Sequence, residues 1–525
     1  MIGKLPPGVT DGAFEAALRG FADAVGAGNV ITDEAGLAVY RDPYTVYGPD
    51  ANLASAAVLP GSTQEVQAVV RVAAATGVPV SVVSTGKNLG YGGGAPRLSG
   101  SVVLDLGRRM NRILEVNEQA GYAVVEPGVR FFDLYEHLQK AGSRYWISTA
   151  DLGWGSVLGN ALERGGGYTP FGNHFSHVAG LEVVLPDGEV IRTGTGAMPG
   201  SGTWHIFPAG YGPYLDGMFT QSNYGIVTRL GMQLMPAPPG SRTYLITFDK
   251  MDDLQPVVAI TNNLVMSMQF QNLPILRDIY LDGGVQSKKS EWHGGTGPLP
   301  DDAVEAMKRE LGLGHWNMYF TLYGPAETLD ARAAGIWSQY KDIAGAKFFS
   351  SQDRHDRGAH VLQDRQRISS GTPSMEELSL LDWLPNAGHL SFAPATPPDG
   401  AKLLEWGNFT RDLGREYGVD TATLAGPFGR ACLYISLILF DTTSEDERGR
   451  ALALARRLIK EAAARGYGEF RTHNALMDDV AATYNWNDNA ILRFQEKLKD
   501  AIDPAGILAP GKSGIWPARF RGQNL

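Results

Sequence analysis

A chain of 525 residues is long enough for more than one domain and a large buried core. Its 43 % hydrophobic and 19 % charged residues exclude wholesale disorder, and a net charge of −10 without any run of Lys or Arg argues against a nucleic-acid partner. No apolar stretch approaches the ~20 residues of a membrane span, so no membrane partner is expected.

Residues 1–12 lack the apolar core and small-residue ending of a signal peptide, and the single cysteine, Cys432, cannot form an intrachain disulfide. Both features predict a cytoplasmic protein. Residues 11–25 have helical spacing, with Phe14, Leu18 and Phe21 on one face. Ser62, Thr63 and Glu65 mark the start of a second helix that continues to residue 74.

Directly after the β-branched run at 78–83, residues 84–94 read S-T-G-K-N-L-G-Y-G-G-G. Glycines that dense let successive backbone N–H groups converge on one point, which suits a phosphate. Residues 101–106 then read as a strand and not a helix, which argues against a dinucleotide-binding Rossmann turn. Lys87 is followed by Asn88 rather than Ser or Thr, which argues against a nucleoside-triphosphate loop. Two readings stay open: a phosphate cradle between two strands with Tyr91 held among the glycines, or a glycine-rich turn that binds nothing.

Short strands follow near 113–116 and 123–125, then a helix over 131–140. Pro186-Asp187-Gly188 signals a hairpin within 181–191, and a strand over 225–235 stops at the proline cluster 236–239. That cluster is the predicted domain boundary. Beyond it, strands near 243–248, 317–322, 390–393 and 432–440 alternate with helices near 252–266, 327–343, 400–417 and 445–465, an α+β layer. From residue 466 the chain turns to polar turns, short helices and a terminal D-P-A-G-I-L-A-P-G-K.

Several residues could carry chemistry. His174 and His177 stand three apart without further ligands in a zinc spacing, so hydrogen-bonded imidazoles are favoured and no metal is expected. No G-x-S-x-G elbow exists, so a serine hydrolase of that kind has no support. Asp151, in A-D-L-G-W-G-S, is either an acid–base group whose pKa burial raises or a carboxylate bonded to its own turn. His389 heads an apolar strand and is either a core imidazole or a reactive one. Arg471, in G-E-F-R-T-H-N-A-L-M-D-D, either neutralises an anionic ligand or pairs with Glu469 or Asp478.

Taken together, the glycine loop with A-P-R-L-S-G behind it, P-D-G-E-V-I-R-T-G-T-G-A-M-P-G, D-G-M-F-T-Q-S-N-Y-G-I-V-T and D-P-A-G-I-L-A-P-G-K-S-G-I-W resemble the vanillyl-alcohol oxidase family, and within it the bacterial eugenol-oxidase branch. The resemblance spans nearly the whole chain. It implies a two-domain α+β fold: an FAD-binding part of two α/β subdomains over 1–238, a cap of antiparallel sheet covered by helices over 239–465, and a segment returning to the FAD part over 466–525. It implies FAD tethered covalently to His389; the family's dehydrogenase branch uses tyrosine for that link, so histidine favours the oxidase branch. The positions that would hold the cofactor are Ser84, Thr85, Gly86, Lys87, Asn88, Gly90, Tyr91, Gly92, Gly93, Asp151, Leu152, Gly155, Ser156, Gly159, Asn160, Gly225, Ile226, Val227, Arg471 and Lys512.

The resemblance also makes Tyr91 and Arg471 the clamp on a phenolate oxygen and Asp151 the acid beside flavin N5. The implied reaction passes a hydride from the benzylic carbon of a para-substituted phenol to the flavin through a p-quinone methide. The flavin is then reoxidised by O2 to hydrogen peroxide, or alternatively by a cytochrome. A homodimer is implied as well. The physics agrees: a phenol titrates near ~10 in water, and a fixed cation with a hydroxyl donor stabilises its anion in a dry pocket. Two departures stand out. The family usually has tyrosine before the clamp arginine, where this chain has Phe470. At 424–430, L-A-G-P-F-G-R, relatives are bulkier, so Ala425 and Gly426 either widen the space near the substrate tail or only adjust a loop.

Overall fold

A computed structural model describes residues 5–428 and 430–523; the first four residues of the amino-terminal reading and Gly429 of the 424–430 segment lie outside it. The first sheet carries Ala57–Val58, Val102–Asp105 and Val80–Val83 in parallel, with Val30–Ile31 antiparallel at the edge. Val102, Val103 and Leu104 are all fully buried, as expected of a parallel strand covered on both faces. The helix Asp11–Val25 buries Phe14, Ala17, Phe21 and Val25 against Val66, Val69, Val70 and Ala73 of the helix Thr63–Thr76. Ser62 caps that second helix by accepting from Glu65 N, and Gly77, in the left-handed region at φ 69°, ends it.

A second, antiparallel sheet runs in the order Ile113–Asn117, Tyr122–Val125, Ile226–Gln233, Val178–Val184, Val190–Arg192. The expected hairpin is present: Val184 pairs with Val190, and Gly188 turns the chain at φ 84°. The helices Phe131–Lys140 and Val157–Leu162 contribute Phe131, Leu134, Leu138, Val157, Leu158 and Ala161 to the core beneath it.

Residues 241–469 build a nine-stranded, antiparallel sheet. Along its strands the side chains alternate between two cores. Tyr244, Ile246 and Phe248 meet the helices Leu254–Met266, Ala326–Trp337, Gly400–Glu416 and Glu445–Ala464, whereas Leu245 joins Ile279–Gln286 and Asp301–Leu311 on the opposite face. Four elements differ from the sequence reading. Residues Thr421–Phe428 form an interior strand, paired with both Ile275–Asp278 and Ala431–Asp441, so residues 424–428 are strand and not an adjustable loop. Ile275–Asp278 and Lys347–Ser350 are strands too short to show alternation. The tail holds a long helix, Trp486–Ile502, whose periodicity is interrupted at Asn487, Asp488 and Asn489, all with positive φ.

The carboxy-terminal segment returns to the first sheet. Val80 N donates to Ile507 O and Ala509 N to Val80 O, each at 2.8 Å. Lys499 and Asp503 anchor this return as a fully buried ion pair at 2.7 Å. Lys499 Nζ also donates to the carbonyls of Asn223 and Leu508, while Asp503 accepts from Ile507 N and Leu508 N. Removing one member of such a pair strands the other charge in the core, at about 3–5 kcal/mol. Lys499→Met should therefore lower the thermal unfolding midpoint clearly, measured by circular dichroism, and a midpoint equal to the parent's would contradict this role.

Candidate active site

The glycine loop leaves Val80–Val83 and bends through positive φ at Gly86, Gly90, Gly92 and Gly93. It borders a cleft of about 250 Å3 that runs past Ser156, Gly159 and Asn160, then Gly225–Val227, to Lys512. Close approach explains Gly159: a Cβ there would stand 2.5 Å from Ser84 Oγ. A second cavity of about 270 Å3 lies under the large sheet. The two share Lys87, Asn88, Gly155, Asn160 and Arg471 in their walls, so they meet in one elongated site.

All the residues expected at the site line one cavity or the other, except Gly90 and Gly92. Those two are spacers. A Cβ on Gly90 would fall 2.3 Å from His389 Nε2, and one on Gly92 equally close to Asn474 Nδ2. The second cavity is mostly aliphatic, with Leu273, Ile275, Leu424 and Ile435 in its walls, and Phe470, Ala425 and Gly426 face it as well.

Arg471 makes neither of the surface ion pairs considered from sequence. Its Nη2 donates to Asn88 Oδ1 at 2.6 Å, and its guanidinium carbon stands 3.9 Å from the centre of the Tyr91 ring. Nε is buried without a partner, so its N–H is free for a ligand. Asp478 instead pairs with Arg97. The Phe470 carbonyl accepts from Gln221 Nε2 at 2.8 Å, which fixes the backbone beside the clamp.

Asp151 does not bond its own turn. It accepts from Tyr168 Oη and forms an ion pair with Arg365 at 2.6 Å. Arg365 stacks on the Tyr168 ring and reaches Glu377 at 3.1 Å; Glu377 is held in addition by Arg277, and Arg277 by Asp282. Burial, then the neighbouring Asp151 carboxylate, pushes the Tyr168 hydroxyl well above its usual value, so it stays a donor. Burial also pushes the Glu377 carboxyl up, against the pull of Arg277. Tyr168, Arg365 and Glu377 are absent from the sequence reading, because no motif spacing links 151, 168, 365 and 377.

His389 sits on the strand Ala387–Phe392, its ring centre 5.2 Å from that of Tyr44. Burial, then the nearby His473, depresses its pKa to about 4, so the imidazole is neutral at physiological pH. Its Nδ1 is buried without a partner. Behind it His473 Nε2 lies 2.8 Å from Asp42 Oδ2. His174 is held by Asn160 at 2.6 Å and by Ser148, and His177 stacks on Phe171, so both imidazoles are occupied.

An elongated cleft walled by glycine loops, ending beside an unpartnered neutral imidazole and an unsatisfied guanidinium donor, fits FAD. Comparison with known proteins agrees. Residues 54–194 match the FAD binding domain family and residues 302–513 the C-terminal domain of FAD linked oxidases. The chain is 34 % identical to the flavoprotein subunit of 4-cresol dehydrogenase (hydroxylating) from Pseudomonas putida, over 97 % of both chains. Among solved structures, 4-ethylphenol oxidase from Gulosibacter chungangensis, in an isoeugenol complex, superposes with a TM-score of 0.97 at 43 % identity, over 99 % of this chain and 100 % of that one. Substrate-bound p-cresol methylhydroxylase gives 0.94 at 33 %, over 98 % and 99 %. Fold and site thus define a flavin-dependent oxidoreductase that takes FAD. The chain belongs to the vanillyl-alcohol oxidase/p-cresol methylhydroxylase family.

Next to the clamp, Glu469 is buried with neither carboxylate oxygen hydrogen-bonded, and burial pushes its carboxyl up to about 8. An acid whose folded pKa is raised is protonated in the fold while the unfolded chain ionises. Stability is therefore lost as pH rises from about 4.5 toward 8, by about 1.4 kcal/mol per unit. Glu469→Gln should be more stable than the parent at pH 7.5, with the gain disappearing by pH 4.5 in denaturant titrations. A pH-independent difference would refute this.

Proposed function

We propose that this chain is an FAD-dependent oxidase of para-substituted phenols: 4-hydroxybenzyl alcohols, 4-allylphenols such as eugenol, and 4-alkylphenols. One observation carries the reading. One cavity with aliphatic side chains among its walls contains both a half-buried guanidinium stacked on Tyr91, its Nε buried and free, and a carboxylate fixed by a second guanidinium. Arg471 and the Tyr91 hydroxyl hold the aryl oxygen and favour its anion, because a charge-assisted donor in a dry wall stabilises the ionised form. The ionised oxygen pushes electron density toward the para carbon, the condition for losing a benzylic hydride.

FAD, when bound, supplies the two-electron acceptor for that hydride. The residues to hold it are Ser84 to Asn88, Gly93, Ser156, Gly159, Asn160, Gly225 to Val227 and Lys512, with His389 as the covalent tether. Asp151, oriented by Arg365 and Tyr168, accepts a proton from the water that adds at the benzylic carbon, and Glu377 offers a second acceptor on the same wall. Ala425 and Gly426 line the tail end of the same cavity, and Gly426 lets its strand approach the neighbouring backbone, since a Cβ there would come within 3.0 Å of Pro274 O. The same reading includes a homodimer in the cytoplasm; among the described residues no helix is long and apolar enough to cross a membrane.

A second reading keeps the phenol chemistry but hands the electrons to a protein acceptor, supported by the full-length similarity to 4-cresol dehydrogenase. A panel of para-substituted phenols scored for peroxide release in air separates the two. Peroxide from substrate alone, with flavin that stays on the protein after acid precipitation, is the expected result. Turnover restored only by an artificial acceptor supports the second reading, and no anaerobic bleaching by any phenol overturns both.

Phe470 carries no hydroxyl to share in the clamp. A hydrogen bond to a charged group contributes roughly 1.5–3 kcal/mol, so Phe470→Tyr should lower the spectral pKa of a bound phenolic inhibitor by about one to two units. An unchanged spectral pKa would show that the added hydroxyl does not reach the aryl oxygen.

A further inference from the structure

Lys87 and Arg471 line both cavities where they meet, and on the cleft side of that junction Lys512 and Glu163 add a third cation and one carboxylate. Lys512 Nζ stands 2.7 Å from Glu163 Oε1, and both line the cleft alongside Arg471. The backbone is committed to this placement. Ala509, Gly511 and Ser513, around Lys512, all have positive φ, and Ser513 Oγ donates to Gln221 O at 2.6 Å. Gln221 bonds the Phe470 carbonyl in turn, and its Nε2 lies 3.5 Å from the carbonyl of Glu163 itself. Glu163 is therefore tied through one side chain to the backbone of the clamp. Burial pushes its carboxyl up, but Lys512 and then Arg471 pull it further down, and the net result lies below the ordinary carboxylate value. Glu163 is charged at neutral pH, and Arg471 shares its field between that charge and any anion reaching its free Nε.

We propose that Glu163 is a positioning residue that limits the positive potential at this junction, weakening the hold on negative charge in a bound phenolate and in the reduced cofactor alike. Three uncompensated cations, Lys87, Arg471 and Lys512, would grip every phenolate, product included; the carboxylate offsets one of them. This inference rests on the phenol-oxidising reading above.

The test uses flavin-loaded protein. Glu163→Gln keeps a hydrogen-bonding partner for Lys512 while removing the charge. Three shifts are expected together. A phenolic inhibitor that binds as its anion should bind about tenfold tighter, and its spectral pKa should fall by about one unit. The flavin midpoint potential should rise by about 30 mV, the two-electron equivalent of tenfold. A neutral aryl methyl ether of the same shape should bind unchanged, and Glu163→Asp should stay within about twofold of the parent.

The failures are distinguishable. A parent protein that neither binds nor is bleached by phenols removes the functional reading itself. A parent that does both, beside a Glu163→Gln variant with unmoved potential and inhibitor pKa, overturns only the role of Glu163. Loss of flavin from that variant, or equal gains for the neutral ether, also overturns it and makes the residue a structural one.

Discussion

The contact between Arg471 and the glycine loop is the constraint on which the site depends. A guanidinium is held against the Tyr91 ring and hydrogen-bonded to Asn88 across a separation of 383 residues. Neither partner could hold that position alone. The loop needs its positive-φ glycines to bring Tyr91 and Asn88 to the cleft, and the arginine needs a fixed backbone, which Gln221 supplies through the Phe470 carbonyl. The stack is half-buried, and the Nε of the guanidinium is fully buried without a partner, so that donor keeps its strength for a ligand.

The same logic governs the far wall of the cavity. Asp151, Arg365, Glu377, Arg277 and Asp282 alternate in sign through the interior, where an isolated charge would be prohibitive. Such a chain of pairs is a poor source of stability compared with an apolar core. It does fix carboxylate orientation to a fraction of an ångström, which is what a group acting on a substrate requires. The aliphatic side chains beside it, Leu273, Ile275, Leu424 and Ile435, offer no hydrogen bonds, so the polar atoms across from them set the field inside.

Much of this was legible in the chain itself, and the rest was hidden for identifiable reasons. The helices Asp11–Val25, Thr63–Thr76 and Phe131–Lys140 and the hairpin at Gly188 follow from local spacing, capping and turn chemistry, and they fall where the residues place them. Tyr91, Asp151, His389 and Arg471 stand in long, ordered motifs, and the fold brings all four to one cavity. Gly90 and Gly92 were readable as loop glycines, but their purpose, making room for His389 and Asn474, depends on elements some 300 and 380 residues away. Arg365, on the helix His360–Ser369, and Glu377, at the start of the turns Glu376–Trp383, belong to no motif, and only the tertiary fold brings them to Asp151. Ile275–Asp278 shows why short interior strands escape notice: four residues buried on both sides give no alternation to detect.

The return of the carboxy-terminal segment to Val80 has a consequence for biosynthesis. Residues 507–509 hydrogen-bond the strand on which the glycine loop is mounted, yet they leave the ribosome more than 400 residues after it. A nascent chain halted before them presents an unfinished β edge, the kind of surface that recruits chaperones or another incomplete copy. Assembly of the cofactor cleft is thereby postponed until both partners of this long-range pairing have been made, so the glycine loop waits on residues far along the chain for its support.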